Sequence, residues 1–456
     1  MISKLNLQNF KAFENLNLEF RPLTFILGQN NSGKSSIIAP FPLLIQTMES
    51  FDAQVSLLLN GIMGDFGTYK DIVYGNNSNR RFKISVSFDL DRMDTTLPLI
   101  RGANSLKIDL AFRYRSRRRE LILNEIKLFK DKENLITLNY SDDSDKLLVS
   151  SFGGKEIPVS QKSTTSSFIQ LHHFLPTVSL FLFSERGQGL LDLFDKDNEK
   201  NSEEVQIRRR KLTQSTNVIR RKFSEMEYIG AMRLPPSRTY LFTGEKRKRI
   251  GATGENTASM LVMDSHRSRK KEKRITESVS QWLSQAGMAS ELKALPISDR
   301  HFEIRVTHPV SKENQNIKDV GYGNSQVIPV LVGGYNLSSG ATFFVEEPEI
   351  HLHPKAQSEL GNFFYDLYER GVQSIVETHS EYLIIRLQQL VADKKIPSKD
   401  IVFYYVQSNA EGGKSVLKLS LDEMGKFTNE LPNGFFPERL EEAKRLSQIR
   451  FQHLQQ

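Results

Sequence analysis

Apolar and polar residues alternate over the first twenty positions, with Ile2, Leu5, Leu7 and Phe10, then Leu16, Leu18 and Phe20, on one side. A two-residue period places one side of an extended chain in a core and the other in water. Two short strands joined by a turn at Lys11–Asn15 are therefore predicted. Thr24 to Leu27 then form an unbroken apolar or β-favouring run, after which Ile37, Ile38, Phe41, Leu44, Ile45 and Met48 recur at helical spacing. Pro40 and Pro42 interrupt that pattern and should bend or shorten the helix, since proline donates no backbone hydrogen bond. Gln46 is assigned to the solvent face of the same helix. Gly61, Gly64 and Gly67 mark a loop, and Arg81–Leu90 and Leu106–Tyr114 are predicted strands of an antiparallel sheet.

From about Asp91 to Arg274 the chain turns polar, with thin hydrophobic stretches at Phe168–Leu182 and Leu190–Phe194. Basic clusters stand at Arg113–Arg119, Arg208–Lys211, Arg220–Lys222, Lys246–Arg249 and Arg267–Arg274. Such runs are either solvated faces or a surface that tracks nucleic-acid phosphates, and no aromatic or zinc-finger pattern argues for sequence readout. Regular patterning resumes at Ser311. Ala341–Val345 is a predicted strand, Pro354–Arg370 a helix and Gln373–Glu377 another strand. A Ser380-capped helix runs to Ala392, and strands follow at Asp400–Gln407 and Ser415–Leu421. This is an α/β unit, so the two ends of the chain must meet in one sheet with the middle inserted between them. The expected division is 1–90 and 311–456 as two parts of a head and 91–310 as an insertion, of which about 228–260 returns to the head.

A length of 456 residues suggests two or three domains with ample core. The chain has no cysteine, which excludes a disulfide framework and cysteine-ligated metal. With neither a signal peptide nor an apolar run near twenty residues, a cytoplasmic protein outside the membrane is expected. A formal charge of +8 fits nucleic acid or an acidic partner without selecting either.

The chemistry is concentrated in four stretches. Gly28-Gln29-Asn30-Asn31-Ser32-Gly33-Lys34-Ser35-Ser36 follows a strand and opens a helix, which is the P-loop spacing. Its glycines let successive N–H groups face phosphate oxygens, Lys34 supplies a point charge, Ser35 a hydroxyl for Mg²⁺, and the helix a favourable dipole end. Glu346 and Glu347 end an apolar strand. Adjacent strand residues point to opposite sides, so Glu346 can hold Mg²⁺ and Glu347 can polarise the attacking water. His379 ends the next strand, at the edge where parallel sheets bind ligands, and is either a phosphate contact or a packed capping residue. Gly321, Gly323, Asn324, Ser325 and Gln326 open a helix whose bare N–H groups suit an anion. Lying about twenty residues before the acidic strand, they are assigned to the nucleotide of a second copy. His351 and His353 with Glu349 also suggest chelation, but no further spacing closes a tetrahedral site.

The order of P-loop, insertion, glycine-rich helix start, Glu-Glu-Pro-Glu-Ile-His-Leu-His-Pro and Glu-Thr-His-Ser resembles the ABC-type ATPase heads of the SMC and OLD-like superfamily. Within it the chain is most similar to single-chain prokaryotic ATPases of phage-defence operons, of which the Septu-system ATPase subunit is one. The similarity includes Tyr228-Ile-Gly-Ala-Met-Arg, Gly251–Glu255 and Leu431-Pro-Asn-Gly-Phe-Phe-Pro. It implies an α/β P-loop head, a mixed sheet plus an antiparallel β subdomain, interrupted by a helical, basic insertion. It also implies ATP and Mg²⁺ as cofactors, Gly28 to Ser36 as Walker A, Glu346 and Glu347 as Walker B, Gly321 to Gln326 as the signature segment and His379 as the switch histidine. Lys11 matches a family position near the nucleotide. A head-to-head dimer that hydrolyses ATP at composite sites and controls a separate effector, often a nuclease, is the implied function. The alternatives are a DNA-associated clamp, a nucleotide-gated scaffold with little turnover, and a nuclease in its own right. The chain departs from the ABC pattern in carrying Glu346 where aspartate is usual and in lacking Leu-Ser-Gly-Gly-Gln. Either Gly323 or Ser325 stands in the phosphate-contacting position, and no Q-loop glutamine is placed.

Overall fold

The computed structural model describes residues 1–91, 94–157, 169–178, 199–265, 275–409 and 413–429. Clusters and stretches at 190–194, 267–274 and 431–437 lie outside the described residues, as do both ends of 168–182.

Thr24–Leu27 reads as continuously apolar because its strand is covered on both faces. Leu23, Phe25 and Leu27 enter one core while Ile26 enters the other. The neighbours split the same way, with Phe343, Val345, Val376 and Phe403 on the first side and Phe344, Ile375, Val402 and Tyr404 on the second. The P-loop strand (Leu23–Gly28) lies inside a six-stranded sheet in the order Met226–Ile229, Thr342–Glu346, Gln373–Glu377, Leu23–Gly28, Ile401–Ser408, Lys414–Leu419. All pairs are parallel except the last.

One face of this sheet packs on helices Thr257–Ser265, Ile275–Ala286, Tyr322–Tyr335, Pro354–Glu369 and Glu381–Ala392. Ser380 caps the last of these by accepting from the Leu383 N–H at 3.1 Å. The other face packs on the post-loop helix, with Phe41 stacked on Phe344 at 4.3 Å, and on a second, antiparallel sheet. The prolines act as expected on that helix. It breaks after Ile38 and restarts at Pro40, where a missing N–H costs nothing. Gln46 is a correction, for it is buried, donating to Leu58 O at 2.6 Å and accepting from the Met63 N–H at 3.2 Å. It pins the glycine-rich loop that follows rather than facing water.

The antiparallel sheet has eight strands, running from Phe13–Glu19 at one edge through Ile2–Phe10, Phe82–Asp89 and Ser105–Arg115 to Lys155–Glu156. It shows the alternation expected of a half-solvated sheet. Phe82, Ile84, Val86 and Phe88 face inward and Lys83, Ser85 and Ser87 outward. The polar stretch after Asp91 thus begins with hairpins that extend this sheet, and its long helix, Glu199–Ser224, comes later. That helix buries Leu212, Val218, Ile219 and Phe223, then leads into the edge strand Met226–Ile229.

Several basic residues of the described clusters are engaged within the chain. Arg113 pairs with Asp142, Arg115 and Arg118 with Asp145, Lys211 with Glu133, Arg221 with Asp94, Lys222 with Asp91 and Asp94, and Arg249 with Glu49. These contacts favour a structural use of those charges over a phosphate-tracking one.

Candidate functional site

The turn after the P-loop strand is drawn tight by its neighbours. Gly28 has φ +146°, and a Cβ there would stand 2.3 Å from Val406 O. Gly33, at φ +101°, would place one 2.8 Å from the Ala12 Cβ. Both contacts forbid a side chain, so the loop curls with a glycine at each bend. The Gln29 carbonyl accepts from the Ser32 N–H at 3.2 Å and from Lys34 Nζ at 2.9 Å. Asn31, at φ +61°, offers its carbonyl to Lys414 Nζ at 3.0 Å. Gln29 and Asn30 are exposed at the rim. Ser32 is buried with its hydroxyl unpaired, and Ser36 N–H bonds Gly33 O at 3.1 Å as the helix begins.

Two neighbouring strands deliver acids and a histidine to this loop. Glu346 and Glu377 are register partners on adjacent strands, and Glu377 is paired with Ile26 of the P-loop strand. The strand of Glu377 lies between those of Glu346 and the P-loop, so Glu377 reaches the loop. Its Oε1 accepts from the Ser35 hydroxyl at 3.1 Å and lies 3.8 Å from Lys34 Nζ. Burial, then the Glu346 charge, push Glu377 up to about 7, and burial holds Lys34 below its ordinary value. Glu346 accepts from the Tyr228 hydroxyl at 3.1 Å, and burial raises it above the usual carboxylate range.

Glu347 has φ +43°, and its N–H bonds Glu377 O at 2.8 Å. That turn brings its Oε1 to 4.0 Å from His379 Nε2. His379 is held below the ordinary imidazole value by burial and by Lys34, with Glu347 opposing. The His379 N–H donates to Glu349, which is buried beneath the turn and raised by that burial. Glu349 is therefore a support of the histidine. His353 caps the helix Pro354–Glu369, and His351 sits exposed at φ +62°. Among the described residues, the groups whose ligand atoms come together are Glu347, Glu377 and His379. The His351–His353 pair with Glu349 is not among them.

Arg233 was not singled out by spacing. It is buried, and its Nη2 donates to Glu346 O at 2.6 Å and Glu347 O at 3.2 Å, fixing the peptide at which the chain turns. Burial lowers it to about 10 despite the surrounding carboxylates. The arginine of Tyr228-Ile-Gly-Ala-Met-Arg was visible in the sequence, but nothing there said which peptide it would hold. Lys414, two strands away in sheet order, was equally silent.

Lys11 sits at the turn of the first hairpin with φ +47°, and its ammonium lies 5.5 Å from the Phe66 ring centre. Burial lowers it, with Asp71 and Glu346 opposing. Gly321 caps the helix Tyr322–Tyr335. Ser325 turns its hydroxyl back to Tyr322 O at 2.8 Å, Gln326 is buried, and Asn324 Oδ1 is unpaired. A Cβ on Gly323 would meet His351 O at 2.9 Å, so this segment packs on the turn after the acidic strand. No hydrogen bond or ion pair described for residues 321–326 reaches residues 28–36.

A parallel sheet carrying a P-loop at its carboxyl edge, with carboxylates and a histidine from the next two strands, defines a P-loop nucleoside-triphosphatase head. The family model described as AAA ATPase domain matches residues 1–384, and the chain belongs to that family. No curated protein sequence matches it. Among solved structures, the chain is similar to an Smc head bound to the C-terminal winged-helix domain of ScpA, at 11% identity and TM-score 0.46 over 92% of this chain and 98% of that one. An SMC head domain from Thermotoga maritima has 11% identity and TM-score 0.40, over 91% and 98%. An Smc head with an extended coiled coil from Pyrococcus furiosus, bound to the C-terminal domain of ScpA, has 12% identity and TM-score 0.44, over 98% and 99%. No helix among the described residues is long and apolar enough to cross a membrane.

Proposed function

We propose that the chain is a Mg²⁺-dependent ATPase that binds ATP at its P-loop and hydrolyses it in composite sites of a head-to-head dimer. The observation that carries this reading is the convergence of Ser35, Lys34, Glu377, Glu347 and His379 at one edge of the parallel sheet. The donors fit ATP and magnesium. Gly28 and Gly33, both at positive φ, curl the loop, the buried Ser32 hydroxyl within it has no partner, and an oxygen-only pair, Ser35 and Glu346, would hold the ion. Magnesium, when bound, neutralises phosphate charge.

The chain's own groups divide the remaining work. Gly28 to Ser36, with Gln29, Asn30, Asn31 and Ser32 between the glycines, offer N–H groups to the phosphates, and Lys34 offers its ammonium. Glu377 orients the Ser35 hydroxyl. Glu347 accepts a proton from the attacking water, and His379 steadies that water and the outer phosphate. Gly321, Gly323, Asn324, Ser325 and Gln326 serve the nucleotide of the opposite copy, and Lys11 lies at the rim of the chain's own. Turnover then controls a separate effector, a nuclease in an anti-phage operon, as the motif resemblance implies.

Glu347→Gln tests the core of this. It should bind ATP with near-normal affinity and lose at least about a hundredfold in turnover. Wild-type turnover surviving the change removes Glu347 from the water-activating role. Wild-type turnover at background would instead favour a nucleotide-gated scaffold.

A further inference from the structure

Glu347, Glu377 and His379 each offer one ligand atom, and the three atoms lie within 4.8 Å of one another. Two atoms bound to one ion at roughly 2.1 Å each can stand no more than about 4.2 Å apart. Glu347 Oε1 and His379 Nε2, at 4.0 Å, already satisfy that limit. The widest permitted separation exceeds it by a few tenths of an ångström, which a small side-chain rotation closes.

A second observation concerns two of the same residues. The Glu377 side chain is only 4% exposed. Its Oε1 is taken by Ser35 and Lys34, whereas its buried Oε2 has no partner, and neither has the buried Nε2 of His379. Buried polar atoms without partners are costly, and two carboxylates and an imidazole gathered this closely are satisfied by a proton or a cation held among them.

We infer that Glu347, Glu377 and His379 form a site for one divalent transition-metal cation, such as Zn²⁺ or Mn²⁺, that fills without nucleotide. Two carboxylates balance the charge of the ion, and the imidazole ligand selects against Mg²⁺, which takes oxygen ligands and keeps its waters. Lys34, 3.8 Å from Glu377, opposes the ion and limits its affinity. The site is distinct from the magnesium pair Ser35 and Glu346 in its nitrogen ligand and in needing no phosphate. It shares Glu347, Glu377 and His379 with the proposed ATPase reading but does not depend on hydrolysis.

The test is binding of Mn²⁺ alone to the nucleotide-free full chain, read by loss of the free-ion electron paramagnetic resonance signal. Wild type and Ser35→Ala should each take up one ion, while His379→Ala and Glu377→Gln should bind roughly tenfold more weakly or worse. Excess Mg²⁺ should displace the ion poorly. No uptake by wild type, or uptake unchanged in His379→Ala, overturns the inference. Loss in Ser35→Ala with retention in His379→Ala assigns the ion to the P-loop hydroxyl and overturns it as well. Binding of a fluorescent ATP analogue to the same samples separates the two readings. If Mn²⁺ fails where ATP binds, the metal site falls alone. If Mn²⁺ binds where ATP does not, the ATPase reading falls alone.

Discussion

Glu227 offers a measurable pH dependence that is independent of the phosphate site. It is 2% exposed on the edge strand Met226–Ile229, with Oε2 accepting from the Ile250 N–H at 3.0 Å and Oε1 unpaired. Burial pushes it up from its ordinary 4.5 to about 7, with Arg249 opposing. A folded-state value above the unfolded one means the stabilisation is complete below about pH 4.5 and is lost as pH rises through about 7. The full span is on the order of 3 kcal/mol, and most of it, about 2–3 kcal/mol, falls between pH 5 and pH 8. Glu227→Gln keeps the acceptor for Ile250 and removes the titration. Arg249 retains Glu49 and the carbonyls of Met226 and Phe223 in that variant. For 456 residues unfolding as one unit, the unfolding entropy is about 1 kcal/mol per kelvin. Scanning calorimetry of both proteins should therefore show the variant gaining about 2–3 °C on wild type between pH 5 and pH 8. All other groups titrate alike in the two proteins and cancel. A difference that stays flat, or grows toward acid, refutes the assignment of a buried, titrating carboxyl at this position.

Two further substitutions probe the seams of the fold. Gln373 is buried and makes four hydrogen bonds, accepting from Ile2 N–H and the Thr342 hydroxyl and donating to Ile2 O and Arg21 O. Gln373→Leu strands these partners and should cost about 2–4 kcal/mol in urea unfolding, and a loss below about 1 kcal/mol would show that the seam relaxes. Arg233→Lys removes the fork that spans the carbonyls of Glu346 and Glu347. It should lower kcat about tenfold or more with KM little changed, because the lost contacts shape the Glu347 turn rather than the phosphate cradle. An unchanged kcat, or a rise in KM alone, separates Arg233 from that turn.

Local order was legible wherever one period dominated. The alternation of Ile2 to Phe10 and the run from Thr24 to Leu27 report the one-sided and two-sided burial found in the two sheets. Ser380 announced its helix because a hydroxyl before an apolar run has one obvious use. Leu106–Tyr114 was legible as a strand, whereas the strands from Glu120 to Phe152 were obscured because an outward face full of Lys, Glu and Asn dilutes the apolar positions to every second residue. Gln46 was misread because periodicity describes the helix alone, while its partners, Leu58 and Met63, lie on a loop that folds back over it.

The site shows the same boundary between local and non-local information. Spacing along the chain locates Glu346 and Glu347 at the end of their strand, but it does not say which strand lies next to Leu23–Gly28. In the sheet, Gln373–Glu377 intervenes between Thr342–Glu346 and the P-loop strand. The carboxylate that touches Ser35 is therefore Glu377, and Glu346, one strand further out, meets Tyr228 from the opposite edge. A parallel register that pairs Glu346 with Glu377 and Glu377 with Ile26 leaves each acid one strand spacing, about 4.8 Å, from the next. Four carboxylates crowded at this edge face Lys34, Arg233 and a neutral-leaning His379. That imbalance is why burial and mutual repulsion raise Glu346, Glu349 and Glu377 together. Such an edge is stabilised by whatever cation or proton it can hold, so its chemistry follows from strand order, which no single motif encodes.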